Sequence, residues 1–84
     1  MTRVIVERRF DEPVSDADLQ ASFERQTPCF SIYNVAYLRG SLSMDRRRMI
    51  CEYEAADTEG VRRIQREADA GFEAIWPAMV VGES

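Results

Sequence analysis

Two carboxylates, three guanidiniums and two thiols carry whatever chemistry this chain does beyond holding a fold. Glu7 and Arg9 stand in VERRF, Arg39 in YLRGS, and Arg48 and Glu52 in RRRMICEYEA. In each stretch charged and apolar residues alternate, so extended strands would point these five charges to one side. Arginines grouped in that way hold an anionic group, and a carboxylate desolvated among them has a raised pKa that suits it to acid–base work. The same side chains equally build an ion-pair network at a subunit interface, because such networks perturb pKa values without doing chemistry. The residue types alone leave both readings open.

The thiols are Cys29, near the end of a helical segment, and Cys51, on a strand. A metal or redox pair would use their approach, but two cysteines supply only half of a tetrahedral soft-metal site. The chain contains no histidine, so a transition-metal site would rest on thiolates and carboxylates. Burial as small apolar side chains is the simpler role. Tyr37, Tyr53, Phe72 and Trp76 either stack on an aromatic ligand or fill core and interface. No glycine-rich phosphate loop, nucleophile elbow or zinc spacing occurs.

All eleven basic residues are arginine, and fifteen carboxylates leave a net charge of −4. That balance repels phosphate backbones, and the single basic cluster at 46–48 falls far short of a nucleic-acid footprint. No apolar run nears the ~20 residues of a spanning helix, so no membrane partner is expected. The opening MTRVIVERRF becomes charged after a few apolar positions and lacks the apolar stretch of a signal peptide. A cytoplasmic location follows, where both cysteines would be free thiols. The 84 residues form one domain, 1–84. So short a chain buries only about 60 to 65% of its unfolded surface, which makes a homodimer the expected state.

The elements that must position these residues follow from periodicity. RVIVERRF at 3–10 reads as a strand with Val4, Val6 and Phe10 on one side and Ile5, Glu7 and Arg9 on the other. Ser15 caps a helix that starts near Asp16, with Leu19, Phe23 and Phe30 on its buried stripe. Pro28 interrupts that pattern, and TPCF reads as a second helix start with Thr27 as cap. VAYLRGSLSM at 35–44 is a strand whose alternation sets Leu38 and Leu42 against Tyr37 and Arg39. MDRRR turns it into a third strand, with Met49, Cys51 and Tyr53 opposite Arg48, Ile50, Glu52 and Glu54. Asp57 or Thr58 caps a second helix carrying Val61, Ile64 and Ala68, which Gly71 stops. AIWPAMVV at 74–81 is a last strand, and Pro77 suits a sheet edge.

The order βαββαβ predicts an α+β domain with a four-stranded antiparallel sheet, order 4-1-3-2, and both helices on one face. The other face then mixes Ile5, Ile50 and Trp76 with Glu7, Arg9, Tyr37, Arg39, Arg48 and Glu52. Pairing two such faces makes a closed homodimer with a polar interior.

VERRF, the cysteine at 29, SMDRRRMICEYEAAD, EGVRR and IWPA resemble a family of small bacterial domains of unknown function that includes a nickel-binding protein. The likeness runs over nearly the whole chain, and it implies the ferredoxin-like dimeric α/β-barrel superfamily. That superfamily holds ligand binders, isomerases and monooxygenases, so fold analogy does not choose among them. The expected function is small-molecule or ion binding in a polar cavity lined by Glu7, Arg9, Tyr37, Arg39, Arg48, Glu52 and Trp76. A cofactor-independent isomerase or monooxygenase is the first alternative. Nickel or other transition-metal binding, through Cys29 and Cys51, is the second; no other cofactor is expected.

Overall fold

A computed structural model describes residues 1–82. Strand β1 (Thr2–Arg9) lies at the centre of the sheet. It pairs antiparallel along its whole length with β3 (Arg48–Ala55), and from Arg3 to Glu7 with β4 (Ala74–Ala78). β2 (Ala36–Leu42) pairs with the far side of β3, so the order is β2-β3-β1-β4. This is the predicted 4-1-3-2 sheet read from its other edge. β-Branched residues favour the central strand: Val4 and Val6 are fully buried against the helices, and Ile5 is covered on the other face, where it lies opposite Trp76. Pro77 sits on the edge strand, where a missing N–H breaks no ladder.

Helix α1 (Asp16–Ile32) starts at Ser15, whose Oγ accepts the Asp18 N–H at 3.1 Å. The expected break at TPCF does not occur: one helix runs through Pro28. Glu24 and Pro28 are both exposed, so the carbonyl that loses its intrahelical donor lies on the solvent stripe. The Thr27 hydroxyl bonds back to the Phe23 carbonyl at 2.9 Å instead of capping a new start. Asn34 ends the helix in the left-handed region (φ 54°), with Val35 N–H donating to Phe30 O at 2.8 Å.

Helix α2 (Thr58–Glu67) begins at Asp57, whose Oδ1 accepts the Gly60 N–H at 2.9 Å. It stops earlier than Gly71. Asp69 takes the left-handed turn (φ 52°), and Ala70 N–H closes on Gln65 O at 2.8 Å. A short acidic residue tolerates that conformation, so no glycine is required.

Both helices pack on one side of the sheet, around Val4, Val6, Cys29, Val35, Cys51, Tyr53, Ala55, Val61 and Ile64. β4 is shorter than its apolar run and stops at Ala78 rather than 81. No helix among the described residues is long and apolar enough to cross a membrane.

One irregularity reorders the site. Tyr37 pairs with Tyr53 while Arg39 pairs with Glu52, so Leu38 is an extra residue, a β-bulge. A bulge inverts the alternation across it. Val35 and Tyr37 therefore turn to the helix side and Leu38 is 41% exposed, the reverse of the expected faces. Tyr37 lies over Gly40, where an added Cβ would stand 2.5 Å from the Tyr37 hydroxyl and 2.6 Å from Met49 Cε. Gly40→Ala should cost about 1 to 2 kcal/mol, measured by urea unfolding, because the tyrosine ring must tilt out of its seat.

Candidate functional site

The open face carries most of the predicted cluster, in a different pairing. Glu52 Oε1 accepts Arg3 Nη1 at 3.1 Å and its Oε2 accepts Arg39 Nε at 2.5 Å. Arg3 was absent from the predicted set, although it shares the phase of Ile5, Glu7 and Arg9. Glu7 does not join Glu52; its Oε2 accepts the Trp76 indole N–H at 2.6 Å. Arg9 and Arg48 stand directly opposite each other and make no ion pair among the described residues. With Glu7, Ser41, Ile50 and Glu73 they border a depression of about 410 Å³.

The electrostatics of Glu52 oppose the acid–base role. The hydrogen bond from Arg39 holds its carboxyl below the usual range; burial pushes the other way, and the charges of Arg39 and Arg3 add to the lowering. Glu52 is thus a fixed carboxylate rather than a base poised near neutrality. Arg39 is 69% exposed, so water screens the pair. Glu52→Gln should cost about 1 kcal/mol at pH 7. A lowered folded-state pKa stabilises above the unfolded value and is lost as pH falls through the folded one. The parent–variant gap in urea midpoint should therefore be full above about pH 4.3 and close below it.

Tyr37 leaves this face because of the bulge. Its ring stands edge-on to Phe23 at 5.0 Å and to Tyr53 at 5.3 Å, inside the helix–sheet layer. Burial raises its pKa well above the ordinary phenol value, so the hydroxyl remains a donor.

Beneath α1 lies a second site that charge patterning concealed. Arg8 follows Val4 and Val6 in strict alternation and points inward, only 7% exposed. Its Nη1 donates to Gly71 O at 2.9 Å, and its Nη2 to Tyr53 Oη at 3.1 Å and to Gln65 Oε1 at 2.7 Å. Tyr53 in turn donates to Gln26 Oε1 at 2.6 Å. Burial keeps the Tyr53 phenol protonated, although the Arg8 charge acts against this. Every one of these partners is neutral. α1 buries only Gln26 and Cys29, so its first turns stand off the sheet and leave a cleft of about 580 Å³. Arg8, Gln26 and Tyr53 form its bonded polar end, Asp16, Asp18, Arg25 and Asp69 also line it, and Leu19, Phe23, Tyr37, Met49 and Cys51 supply apolar wall.

The thiols do not form a pair. Cys51 lies on the cleft wall, whereas Cys29 Sγ donates to Glu67 Oε2 at 3.6 Å between the two helices. Glu67 also accepts the Tyr33 hydroxyl. Burial, then the hydrogen bond and charge of Glu67, push the Cys29 thiol up, away from the thiolate a metal needs. Among the described residues no three of His, Cys, Asp and Glu gather closely enough to hold an ion. With no histidine in the chain, this donor set does not fit nickel.

Strand order βαββαβ, one antiparallel sheet and two helices on one side define the class, a ferredoxin-like α+β domain. The crystal structure of SCO4226 from Streptomyces coelicolor A3(2) is similar throughout, with a TM-score of 0.83 over 95% of this chain and 99% of that one. Sequence identity is 14%, so this likeness speaks for the fold. The model of the family described as nickel responsive protein SCO4226-like matches residues 5–77, and the chain belongs to that family. No curated protein matches it.

Proposed function

We propose that the protein binds a small molecule in the cleft beneath α1 and works as a homodimer joined through the open sheet face. The cleft carries this reading. At about 580 Å³ it falls within the size of ligand sites, and a few polar groups converge at one end of apolar walls. Tyr37 belongs to the ligand site through this cleft. Glu7, Arg39, Glu52 and Trp76 would meet the second copy, with Arg9 and Arg48 at one end of the contact. The molecule is a thin slab of 33 × 31 × 19 Å, so its broad face exceeds the roughly 800 Å² per partner that a standard interface needs. In this reading the protein resides in the cytoplasm, and its two free cysteines agree with a reducing compartment.

The test is an NMR titration with 2-naphthalenemethanol, a neutral apolar probe. Shifts should concentrate on Phe23, Tyr37 and Met49. Shifts confined to Ile50 and Trp76, or none up to the probe's solubility, would overturn the cleft reading.

Nickel binding is a second reading, favoured by the description of the family and opposed by the donor set. Calorimetry at neutral pH should find no tight, stoichiometric nickel uptake. Submicromolar affinity lost in Cys29→Ser or Glu67→Gln would restore the metal reading and locate it.

A further inference from the structure

We infer that the cleft takes a singly charged organic acid, a carboxylate on an aromatic or branched apolar body, with Arg8 as the group that recognises it. The inference rests on the proposed ligand site and adds its chemical class.

The argument begins with charge. Arg8 is buried and cannot be deprotonated, yet a carbonyl, a phenol and a primary amide are its hydrogen-bond partners. It makes no ion pair among the described residues. Dipoles solvate a buried cation but leave its charge uncompensated, which an incoming anion corrects. A guanidinium has five N–H donors. Three are used here, both on Nη2 and one on Nη1, which leaves Nε and one Nη1 hydrogen as donors.

The surroundings limit the anion to one charge. Asp16, Asp18, Asp69 and Arg25 also border the cleft; Asp16 is paired with Arg46 at 2.5 Å, and Arg25 Nε donates to Ala68 O at 2.7 Å, so the acids outnumber this second cation. These acids repel a dianion more than a monoanion. Phosphate sites recruit backbone N–H groups at a helix start or glycine-rich loop; here the α1 N-terminus is already capped by Ser15. Phe23, Tyr37, Met49 and Leu19 supply the apolar contact for the ligand body.

The test compares 2-naphthoate with 2-naphthamide, which share shape and differ in charge, by calorimetry at pH 7. The acid should bind roughly 10- to 100-fold tighter, the worth of a charge-assisted hydrogen bond in a buried site. Gln65→Glu places a carboxylate beside Arg8 and should erase that preference while the amide still binds. Arg8→Met should erase it as well, but Gln65→Glu answers the question even if that variant does not fold. Equal binding of acid and amide to the parent would overturn the anion class and leave the cleft reading intact. Binding of neither would remove both. A preference that survives in Gln65→Glu would show that Arg8 is not the recognising group. Competition by inorganic phosphate as strong as that by the acid would refute the single-charge limit.

Discussion

Gln65→Leu lowers the stability of the domain by about 2 to 4 kcal/mol, the largest loss expected from any polar substitution. Gln65 is 1% exposed; its Oε1 accepts Arg8 at 2.7 Å and its Nε2 donates to Gln26 and Tyr53 at 3.3 Å each. Leucine fills similar space and returns none of these bonds. A cation is then left with fewer dipoles around it, which costs more than an ordinary lost hydrogen bond. A domain of this length has roughly 4 to 13 kcal/mol in all, so the urea midpoint should move far. Gln65→Glu is the contrast. Its carboxylate would face Arg8, have a lowered pKa, and hold stability above about pH 4.3 that disappears as pH falls through the lowered value. A Gln65→Leu midpoint equal to the parent's, or a Gln65→Glu loss as large as that of Gln65→Leu at pH 7, would show that Arg8 is solvated by other means.

Ile50→Glu should weaken the proposed homodimer by about 100-fold or more, seen as monomer in analytical ultracentrifugation at concentrations where the parent is expected to pair. Ile50 is 45% exposed on the open face and lies opposite Glu7, with Glu52 two residues along its own strand. In a two-fold contact each substitution is made twice, and both new charges would be buried beside existing carboxylates. In the monomer the position faces water, so urea stability should change by no more than about 0.5 kcal/mol. The separation of these two effects is the point of the experiment. A parent that sediments as monomer at its highest soluble concentration would end the open-face interface.

Much of the architecture was legible because its signals are local. Alternation in RVIVERRF and MICEYEA, the caps at Ser15 and Asp57, and one short hairpin leave few ways to assemble βαββαβ. The site was less legible, and the reasons differ by residue. Tyr37 went to the wrong face because the bulge at Leu38 arises from how β2 meets β3 and has no marker in either strand. At Arg8 two local signals conflict, since charge favours solvent while period two favours the core. Period two prevailed, since Tyr53, Gln65 and Gly71, contributed by β3, by α2 and by the loop after it, supply partners that no local pattern reveals. Arg3 shows the opposite case: its phase was visible, but its bond to Glu52 needed the β1–β3 register. Pro28 lies inside one continuous helix because, on an exposed stripe, water can replace the missing donor.

The placement of Trp76 has a practical result. It is the single indole in the chain, it is 42% exposed, and its N–H is tied to Glu7 on the side of the sheet away from the cleft. An indole moved from water into a contact emits at shorter wavelength, so tryptophan emission should follow subunit association as protein is diluted. The rings beside the cleft are Phe10, Phe23, Tyr37 and Tyr53, which absorb and emit to the blue of the indole. Excitation at the red edge should therefore read the proposed assembly alone, while changes in the signals of Tyr37 and Tyr53 should follow any occupancy of the cleft. The two faces of one thin sheet report on different optical channels without any label.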